Sequence, residues 1–443
     1  MRGWTSLFGL VLLGASSTAL AQLRICTYNV TDYSSGRVAD FQNIFYGTFE
    51  GRRLAPDVIV GQEFLSQAGV DNFRNLLNTA VGSPGDWQSA PFINGPDTDS
   101  ALFYRTSRIQ FVQQVIAAAG TTSGTDQPRN TMRYDVRPFG FTGELATLSI
   151  YSVHFKSASD STSQQRRQLE AQRIVNDVAA LPVNRQFLLA GDLNIQSSNQ
   201  TAYQTLTRST NNYGPFIDPI ATPGSWENNS AFRFVHTQDP AFQMDSRYDQ
   251  ILLAATLLDG RGLDYIGLPN VVYSTSAWND PNHSYRSFGN DGTSYNTLLK
   301  TSGNTMVGSS IAQDLIDSAL NGGHLPVYAD FRVPSRMTLL TSAIHFGKLS
   351  VGQTATAFVD LIESADTERW GPNGVTPLNV NFILPSAITA RPRERLIWER
   401  RRPWRYALDY TPTSTGSKGG TITIWSDDPA APTVQIPWAA EVR

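Results

Sequence analysis

The sequence predicts an α+β chain in two parts: strands alternating with helices to about residue 332, then strands alone. Three observations carry this expectation. Short runs rich in β-branched and aromatic residues, such as 23–30 and 148–155, recur through the first three-quarters of the chain. Between two of them, residues 163–180 place Leu169, Ile174 and Val178 at helical spacing among Gln, Arg and Asn. Beyond Val333-Pro334-Ser335 no helical period recurs, and apolar runs are separated by Gly, Pro and Asn turns. Alternating strands and helices imply packed sheets covered by helices.

In chain order, Met1-Arg2-Gly3, an apolar run over 7–13 and the small residues of Ala19-Leu20-Ala21 have the layout of a secretory signal peptide. Cleavage is expected before Gln22, giving an exported protein, periplasmic or extracellular. The apolar run falls short of the about 20 residues that a membrane span needs. Strands are expected at 23–30, at 57–63 just after Pro56, and at 101–104, 148–155, 186–190, 248–253 and 325–331. Helices are expected at 73–79 and 163–180, and none beyond residue 335. Further strands at 344–347, 354–361, 378–384, 404–410 and 420–425 fit a β-sandwich. The expected organisation is therefore 1–21 signal peptide, 22–334 first domain and 335–443 β-sandwich.

The composition is globular and rich in turns: 443 residues, 40% hydrophobic and 16% charged, with 34 Gly and 24 Pro. Cys26 is the single cysteine, which excludes an intramolecular disulfide and a cysteine-based zinc site. Thirty-five basic residues face 38 acidic ones, so no strongly basic nucleic-acid binder is indicated. Residues 22–336 carry 23 basic and 28 acidic residues, and a polyanion bound there would need the help of a cation.

Polar residues at the ends of apolar strands concentrate the chemistry. Five segments show them: Thr27-Tyr28-Asn29-Val30, Val60-Gly61-Gln62-Glu63, Val153-His154-Phe155, Ala190-Gly191-Asp192-Leu193-Asn194 and Tyr248-Asp249-Gln250. A sixth, Gly322-Gly323-His324-Leu325, puts a histidine just before a strand. Singly, each has an ordinary reading: a turn for Asn29 or Asp192, a solvated carboxylate for Glu63, a structural histidine for His154 or His324, a pair with Arg247 or Arg233 for Asp249. Six of one kind do not, because a buried strand seldom ends in a charge without cause. Glu63 and Asn29 offer the oxygens a hard cation takes. Asp192 and Asn194, two apart, can orient a water, and His324 backed by Asp249 is a proton-transfer or charge-stabilising pair. The set describes hydrolysis of a phosphoester, and no serine elbow, P-loop or zinc-type histidine spacing competes with it.

These segments, in this order over residues 23–332, resemble the deoxyribonuclease I-like endonuclease/exonuclease/phosphatase superfamily. The resemblance implies a four-layer α/β/β/α sandwich and a metal-dependent phosphohydrolase using Mg2+, or else Ca2+ or Mn2+. It implies Glu63 as the principal metal ligand with Asn29 supporting the metal shell, Asp192 aligning or deprotonating water, and Asn194 and His154 on the phosphate. Asp249 would orient His324, which would stabilise charge on a non-bridging oxygen. The family's usual Asp before the last histidine is replaced by Gly323, which leaves a second cation site in doubt. Asp97 and Asp99 are the carboxylates that could serve His154.

The implied substrate is a phosphodiester, nucleic acid first, with a phospholipid or phosphomonoester as alternatives. Sphingomyelinase-like and phosphoinositide-phosphatase-like activities belong with the latter, and a catalytically degenerate binding protein is the other class. Phe346-Gly347, Tyr410-Thr411-Pro412 and Trp425-Ser426-Asp427-Asp428-Pro429 resemble immunoglobulin-like sandwiches of exported and ciliary proteins, whose partner the sequence does not name. Seven arginines over 391–405, with Trp398 and Trp404, suggest either a polyanion tract or a hairpin with Arg packed over Trp. The loops 225–229 and 278–296 are candidate rim segments.

Overall fold

The computed structural model describes residues 22–122, 124, 126–210 and 214–443. The expected signal peptide lies outside them. Among the described residues thirteen strands come before residue 333. They are Leu23–Tyr33 (β1), Val58–Phe64 (β2), Trp87–Ser89 (β3), Asp99–Arg105 (β4), Ile109–Ala118 (β5), Thr131–Pro138 (β6) and Leu148–His154 (β7). Gln186–Asp192 (β8), Phe216–Ile217 (β9), Asp249–Ala254 (β10), Asp264–Tyr265 (β11), Arg286–Ser287 (β12) and Val327–Arg332 (β13) complete them. They form two sheets, β11-β13-β1-β2-β4-β3 with β12 beside β13, and β5-β6-β7-β8-β10-β9. The helices are Val38–Tyr46 (α1), Gln67–Thr79 (α2), Ser161–Ala179 (α3), Thr201–Thr207 (α4) and Gly308–Asp317 (α5).

The two-residue period of the strands builds four layers. Ile25, Val58, Val60, Ile150, Leu188 and Ile251 point into a core between the sheets. Their neighbours Cys26, Tyr28 and Ile59 face the opposite way, onto Phe41 and Ile44 of α1, Phe73 of α2 and Ile311 of α5. On the far side Tyr151, Val153, Leu189 and Leu252 meet Ala171, Ile174 and Val178 of α3 and Leu206 of α4. The expected sandwich of sheets covered by helices is what these faces make. Helix α3 starts where Asp160 accepts the amides of Thr162 and Ser163, an N-cap that ends the preceding loop.

After residue 335 nine strands form a four-stranded and a five-stranded sheet around a third core that includes Val359, Phe382, Leu408, Ile424 and Ile436. One expectation fails here: Thr367–Trp370 is a single helical turn, α6, capped by Asp366, whose side chain accepts the Arg369 amide. Four residues are too few to show a helical period. This turn anchors the second part on the first. Trp370 is 1% exposed and belongs, with Ala365 and Val375, to the core between the first two sheets. The Arg108 guanidinium lies 4.0 Å from its ring centroid, bonds the Gln22 carbonyl at 2.8 Å and pairs with Asp57 at 3.0 Å.

In the arginine-rich run, Arg391, Arg400, Arg401, Arg402 and Arg405 face Asp409, Glu363, Glu368, Glu399 and Asp360. Arg395 lies 3.7 Å over the Trp404 ring. The run is thus largely committed to its own unit, as Arg packed over Trp.

Removing the anchor is expected to cost about 3–5 kcal/mol of stability in Trp370→Ala. Urea unfolding should show it, with Trp398→Ala, 64% exposed, changing stability by less than about 0.5 kcal/mol.

Candidate active site

Strand direction assembles the rim. Parallel pairing of β1 with β2 sets Asn29 beside Gln62 and brings Glu63 to the same end. Parallel pairing of β7 with β8 sets His154 opposite Asp192. Strand β10 runs antiparallel to β8 with Asp249 opposite Asp192, and β13 runs antiparallel to β1 with Val327 opposite Thr27. The ends of four strands and the beginnings of two therefore meet, and all seven residues singled out from the sequence lie there. Gly191 allows the approach: a Cβ on it would stand 1.9 Å from the Val153 carbonyl oxygen.

Asp192, 1% exposed, is the hub. Its Oδ1 accepts the Asn194 amide at 2.9 Å. Its Oδ2 accepts Asn194 Nδ2 at 2.9 Å and Asn29 Nδ2 at 3.4 Å. His154 Nε2 and His324 Nε2 close on the same oxygen, at 3.4 and 3.8 Å. Glu63 Oε1 accepts Asn29 Nδ2 at 2.8 Å and Oε2 accepts the Asp32 amide at 3.0 Å, with His154 Nε2 3.7 Å from Oε1. The Thr31 amide donates to Asn29 Oδ1 at 3.0 Å, which turns the Asn29 NH2 toward both carboxylates. His324 Nδ1 lies 2.8 Å from Asp249 Oδ2, and Thr237 Oγ1 accepts the Asp249 amide at 3.1 Å. Arg247 and Arg233, the other partners considered for Asp249, are engaged elsewhere: Arg247 pairs with Asp218 at 2.8 Å, and Arg233 bonds the Ser230 and Thr275 carbonyls.

Burial and charge set the protonation states. Burial by itself would depress the His324 imidazolium, but Asp249, Asp192 and Glu63 outweigh it and raise the pKa to about 10. His154 is driven well below its ordinary value, first by burial and then by Arg129, His324 and Lys156. One histidine is therefore a cation at neutral pH and the other is neutral. Burial raises Asp192; His324 opposes this, Asp249 and Glu63 add to it, and the pKa reaches about 7.

Three carboxylates against one imidazolium leave the rim in need of positive charge, and the oxygen donors suit a hard divalent cation. Among the described residues no three His, Cys, Asp or Glu side chains form a ready metal cage. The fit is to a single-carboxylate site, Glu63 steadied by Asn29, of the kind where Mg2+ keeps several waters and takes other ligands from a phosphate.

Asp97 and Asp99 do not serve His154. Asp97 pairs with Arg129 at 3.1 Å, Asp99 accepts the Gly95 amide at 2.8 Å, and the buried His154 Nδ1 has no partner among the described residues. Gly323 has a backbone reason: its φ is +66°, and a Cβ would lie 2.3 Å from Ala319 Cβ and 2.8 Å from its Cα. Asp239 escaped the sequence reading. It sits in a loop with no apolar strand before it, so no strand-end pattern marks it. A Cβ on Gly322 would meet its Cγ at 2.6 Å, and its buried Oδ1 has no partner among the described residues. Burial first, then Asp245 and Asp249 against His324, raise its pKa to about 6. Beside it, Gln238 Nε2 lies 3.5 Å from His324 Nε2. The loops 278–296 and 225–229 brace the rim: Asn290 Nδ2 bonds the Arg233 and His236 carbonyls, and Glu227 accepts the Tyr248 hydroxyl at 3.0 Å.

No family model and no curated protein matches the chain. Among solved structures it is similar to the human Nocturnin catalytic domain with bound sulfate, at 15% identity and a TM-score of 0.41, over 70% of this chain and 94% of that one. It is also similar to D. rerio TDP2 complexed with a single-strand DNA product, at 16% identity and a TM-score of 0.41, over 70% and 99% of the two chains. A third is an endonuclease/exonuclease/phosphatase family protein from Bacteroides thetaiotaomicron, at 12% identity and a TM-score of 0.38, over 70% and 94%.

Two outcomes are expected. Gly323→Asp should lower stability by about 1–3 kcal/mol, read by urea unfolding, and bring no gain in cation affinity by calorimetry. The His324–Asp249 pair has a folded-state pKa of about 10 against 6.5 for the free imidazole. Its contribution is complete below about 6.5 and is lost as pH rises through about 10. Asp249→Asn should therefore cost about 3 kcal/mol near pH 6 and progressively less toward pH 10.

Proposed function

We propose that this chain is an exported phosphodiesterase that hydrolyses its substrate with a divalent cation, and that the substrate is nucleic acid. The single observation that carries the reading is the convergence of Asn29, His154, Asn194 and His324 on one oxygen of the buried Asp192. In this reading residues 22–334 hold the site and 335–443 form a noncatalytic unit.

The residues divide the work by their protonation states. Glu63, held by the Asn29 amide and the Asp32 amide, is the group to hold Mg2+, which when bound supplies Lewis-acid polarisation of a phosphoryl oxygen. Asp192, with a pKa of about 7, is poised to take a proton from water as the water oxygen attacks phosphorus. Asn194 fixes the plane of that carboxylate through two hydrogen bonds. The His324 imidazolium, fastened at Nδ1 by Asp249, presents Nε2–H to the charge that develops on a non-bridging oxygen. Neutral His154 offers a hydrogen bond to the phosphate without adding positive charge. The bond to the leaving oxygen breaks as the new phosphorus–oxygen bond forms, and solvent protonates the departing alkoxide.

Nicking of supercoiled plasmid by the protein starting at Gln22 tests this. Mg2+-dependent cleavage is expected, abolished by excess chelator. Asp192→Asn and His324→Ala should each lower kcat on the order of 10²–10⁴-fold. Cleavage that persists in chelator, or an unimpaired His324→Ala, would contradict the assignment.

A further inference from the structure

Gln238 is placed by the same two segments that place the His324–Asp249 pair. Its amide donates to the Ser246 carbonyl at 3.2 Å and its carbonyl accepts the Asp245 amide at 3.0 Å, so it lies along the approach to β10. On its other side it forms an antiparallel bridge with His324, beside which the Leu325 amide donates to the Thr237 carbonyl at 2.8 Å. Thr237 Oγ1 in turn accepts the Tyr248 and Asp249 amides, at 3.3 and 3.1 Å. The backbone of Gln238 is therefore tied to both members of the pair. Its side chain is partly buried and brings Nε2 to 3.5 Å from His324 Nε2.

These two nitrogens are both donors. His324 gives Nδ1–H to Asp249 at 2.8 Å, and as a cation it carries a hydrogen on Nε2 as well. Asp192 Oδ2, at 3.8 Å, is too far from that Nε2 for a hydrogen bond. Two donors that face one another gain only when an acceptor comes between them. We propose that Gln238 is a further catalytic residue, whose side-chain NH2 and the His324 Nε2–H together cradle one non-bridging oxygen of the phosphoryl group. This rests on the phosphodiesterase reading above and adds a group to its machinery. The residue type suits the place. A lysine or arginine would set a second cation beside the imidazolium, and a carboxylate would take its hydrogen and repel the phosphate. A carboxamide adds a donor without adding charge. As water attacks phosphorus, charge builds on the non-bridging oxygens, where donors already fixed in place stabilise it most.

The test measures phosphate binding and cleavage separately. Inorganic phosphate is titrated by calorimetry, with Mg2+, into the wild type, Gln238→Met, which keeps the length and loses the donor, and Gln238→Glu. Affinity should fall about 10-fold in Gln238→Met and further in Gln238→Glu. On a thymidine dinucleotide, kcat/KM should fall about 10²-fold in Gln238→Met. The Rp and Sp phosphorothioates of that dinucleotide then locate the contact. Sulfur at the cradled position should slow the wild type about 10-fold more than Gln238→Met, and sulfur at the other position should slow both alike. Where Gln238→Met does not fold, Gln238→Ala takes its place. Equal phosphate affinity in wild type and variant would overturn the cradle. So would a loss of kcat/KM that leaves both sulfur effects unchanged, since the side chain would then only prop the His324 ring. Phosphate affinity that depends on Gln238, in a protein that cleaves no diester, would keep the cradle and sink the phosphodiesterase reading. A wild type that binds no phosphate would sink both.

Discussion

The arrangement of the rim follows from burying one carboxylate. Asp192 is almost out of water, and a buried charge without partners costs several kcal/mol. Its partners come from four other places in the chain: Asn194 from the loop after β8, Asn29 from β1, His154 from β7 and His324 from the loop before β13. A slip of one residue in either sheet would point one of these side chains at the wrong face. The chemistry and the register of both sheets are therefore fixed by the same contacts. Compensation also stays incomplete, since the pKa of Asp192 remains near 7. A site left short of positive charge is one that gains from a cation and from a substrate that brings it.

What could be read from the sequence, and what could not, divides along the same physics. A buried strand that ends in Asn, Glu, His or Asp breaks its own pattern, and all six segments found that way lie at the rim. Helix α3 was legible because a long amphipathic helix has a period to detect. The hairpin of β5 and β6 was not, because Gln110, Gln113 and Gln114 interrupt its apolar positions. Helix α1 lacks a side-chain N-cap, and its buried Phe41, Ile44, Phe45 and Tyr46, three of them consecutive, do not separate a helix from a strand. Gln238 reaches His324, and Asp239 comes beside Gly322, through the path of a loop, which no local pattern encodes. The same is true of Trp370, whose burial depends on a distant core.

Trp370 changes what the second unit can be. A freely tethered sandwich would leave the first core closed on itself, yet here Ala365, Trp370 and Val375 complete it. Arg108 ties this contact to Gln22 and Asp57, and so to the start of β1. The chain past residue 335 is thus part of the stability of the sandwich that bears the site, whatever else it binds.

Charge counts mislead in this protein, and pairing explains why. The densest run of arginines lies at 391–405, where five of the seven face carboxylates of their own unit and a sixth covers a tryptophan. An ion pair already satisfied gains little from a phosphate, because the phosphate must first displace the carboxylate.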